Sequence, residues 1–100
     1  MEVKINSVHF STDQKLVDFI NKKVGKLDTF FDGIIKAEIT LRVVKPETAN
    51  NKVAELGLSI PVQGNLFAKK QADSFEEAID LAVDALKKQI EKYKEKLKNK

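Results

Sequence analysis

Apolar residues recur along the last quarter of the chain at intervals of three and four: Phe75, Ile79, Ala82, Leu86, Ile90, Tyr93 and Leu97. That spacing lays them along one stripe and predicts a long amphipathic helix starting at Ser74. Ser74 and Glu77 make a capping-box pattern, in which hydroxyl and carboxylate each satisfy a free N–H of the first turn. Asp73, Glu76, Glu77 and Asp80 crowd its start and lysines dominate from Lys87 onward, so both ends complement the helix dipole. Read from the beginning, the chain opens on a strand over Glu2–Phe10. Val3 and Ile5 alternate with polar neighbours until the parity slips near Ser7, which predicts a bulge or turn there. Ser11 and Gln14 give a second capping-box pattern. From Thr12 to about Lys26, the residues Leu16, Phe19, Ile20, Val24 and Leu27 mark a first helix. Gly25 and the Asp32-Gly33 pair read as stop and turn signals.

Ile35, Ala37, Ile39, Leu41 and Val43 then alternate with Lys36, Glu38, Thr40 and Arg42, the pattern of a strand with one buried face. Residues 45–51 predict a hairpin loop, with Pro46 and the Asn50-Asn51 pair as its turn formers. A further strand places Ala54, Leu56, Leu58, Ile60 and Val62 inward, and Pro61 should leave it unpaired or bulged on one side. Gln63-Gly64-Asn65 is a short turn, and Leu66–Ala72 a last, weaker strand. The order is β-α-β-β-β-α. Strands with one apolar face need cover on one side only, and two amphipathic helices supply it. The expected fold is therefore α+β: a two-layer sandwich with a four-stranded mixed sheet and both helices on one face. The first strand should join the second through a helical crossover and pair with it in parallel.

One hundred residues suit a single domain, 1–100, with one two-layer core. The absence of cysteine removes disulfides, thiolate metal sites and cysteine nucleophiles. Residues 1–20 lack the pattern of a signal peptide and no window approaches a membrane span, so a soluble, cytoplasmic protein is expected. Charge is distributed unevenly. Lys87 to Lys100 holds seven lysines against Glu91 and Glu95, a net of +5, whereas the whole chain is +3 and the remainder thus −2. Charge gathered on one element points to a polyanionic partner better than a basic average does, although a solvated lysine-rich helix would show the same excess.

Lys88, Lys92 and Lys96 stand four apart and form a row with about 6 Å between neighbours. Like charges at that spacing disfavour the helix by a few tenths of a kcal/mol per pair. The row suits an array of phosphates, each contact releasing roughly one counterion. With the helices side by side, Lys22, Lys23 and Lys26 are expected to join Lys88, Lys92 and Lys96 on one surface. Catalysis finds no comparable support. His9 is the only histidine, and Ser11 and Asp13 beside it are accounted for as capping residues. No phosphate-binding glycine loop, HExxH helix or nucleophile elbow is present, and no cofactor is implied. Phe67 is expected on the bare sheet face, but one aromatic is not a base-stacking platform of the RNA-recognition-motif kind. Tyr93 lies on the apolar stripe and is expected in the core.

The pattern of Ile79-Asp80, Leu81–Asp84, Leu86, Gln89-Ile90, Lys92–Lys94 and Lys96–Lys98 closely resembles the ribosome hibernation-promoting factors. These are also called ribosome-associated inhibitors or sigma modulation proteins. In the first helix Phe19, Ile20, Lys23 and Lys26-Leu27 stand at matching positions, followed by Phe31-Asp32, and the likeness covers essentially the whole chain. The family's D-M-Y-A before the second helix is replaced here by Ser74-Phe75-Glu76-Glu77. The resemblance implies a short form without the second domain that pairs ribosomes in long members. It implies a non-enzymatic protein that binds the small ribosomal subunit at its messenger channel and decoding region, excludes tRNA and messenger, and holds ribosomes inactive in stationary phase or stress. Carried over by position, the residues facing ribosomal RNA would be Lys23 and Lys26 on the first helix and Lys88, Gln89, Lys92 and Lys96 on the second, flanked by Lys87 and Lys94. The free protein is expected to be a monomer, and ribosome dimerisation would involve a separate factor. Two other readings remain at this point: a protein-interaction module acting on a polymerase sigma factor, and a general double-stranded RNA binder.

Overall fold

The computed structural model describes residues 1–8, 10–45, 49–61 and 64–98, with side chains as far as Glu95. Its elements are β1 (Glu2–Ser7), α1 (Gln14–Phe30), β2 (Lys36–Val43), β3 (Lys52–Ile60), β4 (Gly64–Ala72) and α2 (Phe75–Lys98), in the expected order. They form one four-stranded sheet of order β1-β2-β3-β4. The β1–β2 pair is parallel and the other two pairs are antiparallel, so the sheet is mixed as the crossover required. Two antiparallel ladders come from short hairpin connections, whereas the parallel pair needs the long return that α1 provides.

Inward parity in the strands follows the sequence pattern. Ala37, Ile39 and Leu41 of β2 and Ala54, Leu56, Leu58 and Ile60 of β3 are buried. They meet Ile20, Val24 and Leu27 of α1 and Ile79, Ala82, Leu86 and Ile90 of α2 in one core. Each large side chain so removed from water contributes roughly 1.5–3 kcal/mol, which is why the two stripes hold the helices to this face. The opposite face is polar and its charges are largely paired across strands. Arg42 meets Glu55 at 3.1 Å, Lys69 meets Glu55 at 3.8 Å, and Lys4 meets Glu38 at 3.9 Å. Phe67 stands there, 56% exposed, over the bare backbone of Gly57, its partner in register.

Several local expectations are corrected. Helix α1 begins at Gln14, and its cap is Asp13 and not Ser11: Leu16 N donates to Asp13 Oδ1 at 2.8 Å. The acid sits one residue before the first helical turn, where its carboxylate reaches the free amides, and Ser11 lies too far upstream. Nor does α1 stop at Gly25. It continues to Phe30, because Leu27 still packs in the core, and the chain turns at Gly33, whose φ of +101° favours glycine. Strand β2 starts one residue late, with Ile34 buried and Ile35 59% exposed, and Val43 at its other end is also exposed. Pro61 does not bulge a strand; β3 ends before it, and Ile60 pairs with Gly64. His9, Val62, Pro46 and the side chains of Lys96 and Leu97 lie outside the described residues. Tyr93 is half-buried, edge-on to Phe31 with ring centroids 5.5 Å apart.

Candidate nucleic-acid interface

Helix α2 packs on β3 and β4, and α1 lies beside it and against β1. The two helices run in the same direction. Lys23 in the middle of α1 pairs with Asp80 near the start of α2, and Phe30 at the end of α1 meets Lys94 near the end of α2. At the N-terminal end Phe10 stacks on Phe75 with centroids 5.1 Å apart, and Glu77 N donates to the Ser74 hydroxyl at 3.1 Å. These contacts fix which side of α2 looks toward α1. Asp80 and Lys94 are fourteen residues apart with Lys87 midway, so all three occupy one stripe along the seam between the helices.

The lysines of α2 therefore occupy two flanks and do not make a single patch. On the seam, Lys23 is held by Asp80 at 3.2 Å and lies 5.6 Å from the centre of the Phe19 ring. Lys94 donates to the carbonyl oxygen of Phe30 and sits 4.5 Å over that residue's ring. Its ammonium thus satisfies a free carbonyl in the last turn of α1, where a positive charge also opposes the dipole. Lys87 is half-buried on the same stripe. On the other flank, Lys88 and Lys92 are exposed and border an open recess of about 370 Å³ against β4, together with Lys70, Leu81, Asp84, Ala85 and Gln89. The crest between the flanks carries Glu77, Asp84 and Glu91, seven residues apart and all exposed. Lys26 projects into solvent from α1 and, among the described residues, has no ion-pair partner.

Gln89 has a structural duty. Its Nε2 donates to the carbonyl oxygen of Phe67 at 3.0 Å, which ties α2 to the edge strand and blunts that edge. The side chain of Lys96 is outside the described residues. Lys70 was not among the residues singled out from sequence. Its signal was there, because it shares the inward parity of Ala68 and Ala72, yet a lysine of that parity on an edge strand must emerge beside the covering helix. Among the described residues no three His, Cys, Asp or Glu side chains are grouped to hold a metal, and no helix is long and apolar enough to cross a membrane.

Comparison with known proteins supplies the context for this surface. A family model described as "Sigma 54 modulation protein / S30EA ribosomal protein" matches residues 3–98. The ribosome hibernation promoting factor of Pseudomonas putida is 32% identical over 96 residues, covering 96% of this chain and 89% of that protein. Its namesake from Klebsiella oxytoca is 31% identical, with 98% of each chain covered. The ribosome hibernation promotion factor of Bacillus subtilis is 28% identical over the whole of this chain but only 52% of its own length. Two solved structures share the fold. A ribosomal subunit interface protein from Coxiella burnetii superposes with a TM-score of 0.83 at 20% identity, over 94% of this chain and 98% of that one. The N-terminal domain of Protein Y from Thermus thermophilus does so at 0.78 and 24% identity, over 93% and 99%. The chain belongs to the Sigma 54 modulation protein / S30EA ribosomal protein family, the non-enzymatic, ribosome-associated family of the hibernation promoting factors.

Proposed function

We propose that this protein is a ribosome hibernation factor that binds the small subunit in its decoding and messenger channel and reversibly blocks translation during stress or stationary phase. Basic side chains of the helix layer would hold it on ribosomal RNA, and its bulk would exclude tRNA and messenger. The observation that carries this reading is the state of Lys88 and Lys92. They stand one turn apart, exposed, and without an ion pair to any described residue, whereas the lysines on the sheet face at positions 4 and 69 are engaged by carboxylates. An unneutralised pair of like charges disfavours an isolated helix slightly and gains its compensation from a polyanion.

Within the set expected to face RNA, the free lysines 26, 88 and 92 are the primary contacts. Lys87 lies on the seam, apart from Lys88 and Lys92, Lys96 extends the row by spacing, and Lys23, Gln89 and Lys94 act mainly by positioning the helices. Reversing charge in a Lys88→Glu/Lys92→Glu double variant should abolish co-sedimentation with small subunits and leave the thermal transition nearly unchanged, since both side chains are exposed. Retained binding by a folded double variant would remove the basis of the proposal.

A further inference from the structure

The recess between α2 and the edge of the sheet unites side chains that neither helix provides alone. We infer that Lys70 of β4 joins Lys88 and Lys92 in one cleft for the sugar-phosphate backbone of RNA, an inference that rests on the ribosome-binding role proposed above. The strand held in this cleft would then run along the α2–β4 flank and not along the groove between the helices, leaving Lys26 to a separate segment of RNA.

Three features support this placement. First, the cleft is lined by three lysines and one acid, Asp84, which leaves it a net charge of +2, and none of the three lysines has an ion-pair partner among the described residues. The neighbouring Lys69 points to the other sheet face and is taken by Glu55, so alternation along β4 separates an engaged lysine from a free one. Second, the walls are braced. The Gln89 bond to Phe67 fixes α2 against β4, so the lysine stems on the two elements are held at a set separation before any ligand arrives. Third, part of the lining is apolar. Leu81 is 41% exposed and Ala85 half-buried beside it, a surface that accepts a ribose face better than a fully hydrated small anion. The opposite seam offers less, because Lys23 and Lys94 already serve Asp80 and Phe30.

The test is a salt titration of binding to purified small subunits by the full chain and its Lys70→Gln variant. Loss of one phosphate contact should weaken binding about eightfold at 0.1 M salt and make the slope of log K against log salt shallower by ~0.9. Asp84→Asn should tighten binding several-fold, because it removes the acid from the cleft. Both variants should melt like the parent, their side chains being exposed. A photo-reactive phenylalanine in place of Leu81 should crosslink to RNA. Lys70→Gln binding with parental affinity and slope, or a crosslink to ribosomal protein alone, would overturn the cleft while the proposed role stands. Absence of binding by the parent chain would overturn both.

Discussion

Lys94 has a structural role that sets it apart from the lysines proposed to face RNA, and the Lys94→Met variant tests that separation. Methionine keeps most of the aliphatic stem and deletes the ammonium. Three interactions are lost: the charged hydrogen bond to the Phe30 carbonyl, the contact 4.5 Å over the Phe30 ring, and the cation at the end of α1. A bond to a charged group contributes about 1.5–3 kcal/mol when shielded, an exposed cation–π contact about 0.5–1, and a charge at a helix end about 0.3–1. Lys94 is only half-buried, and its contributions overlap, so the net cost should be about 1–2 kcal/mol. For a domain of this size that lowers the melting temperature by about 5–10 °C. Differential scanning calorimetry reads the shift, and co-sedimentation with small subunits below the transition reads the affinity. Lys94→Met should lose stability and keep most of its binding, the reverse of Lys88→Gln. A variant that melts like the parent but releases the subunit would refute the assignment and return Lys94 to the RNA-facing set.

Two backbone predictions are independent of the ribosome. Gly25 lies inside α1 with φ in the ordinary range, and beyond its own stretch of helix backbone nothing lies within 4 Å of an added Cβ, so Gly25→Ala should raise stability by about 0.5–1 kcal/mol, read as a higher urea midpoint. A lower midpoint would mean that the glycine is needed for close packing. Asp13→Ala should cost about 1 kcal/mol through loss of the bond to Leu16 N, whereas Ser11→Ala should change stability by less than about 0.5 kcal/mol. Equal effects in chemical denaturation would restore Ser11 as the cap.

The elements with a long, regular pattern were readable from sequence. The stripe from Phe75 to Ile90, the alternation from Ala37 to Leu41 and the length of the link between β1 and β2 each allow one arrangement, and the sheet order follows. What escaped was decided either very locally or at long range. Ser11 and Asp13 are both good caps two residues apart, and only the backbone at position 13 chooses between them. Gly25 reads as a helix stop unless Leu27 beyond it is known to be buried. Spacing alone groups the lysines of α2 into rows, but it does not say which row meets α1. That answer comes from pairs far apart in sequence, Lys23 with Asp80 and Phe30 with Lys94, and it splits a surface expected to be continuous. Lys70 became relevant for the same reason, since its partners lie on an element packed across the sheet edge.

The change of sign along α2 has a consequence for how the molecule travels. The helix begins among acids, Asp73, Glu76, Glu77 and Asp80, and gathers lysines from Lys87 onward, whereas α1 carries Lys15 in its first turn and Asp28 in its last and has no such gradient. This one element is therefore an electric dipole with a negative and a positive pole. Near a polyanion such a body feels a torque as well as an attraction, and it rotates its lysine-rich pole forward before touching. Encounter would be pre-oriented at low ionic strength and would lose that guidance as the Debye length shortens.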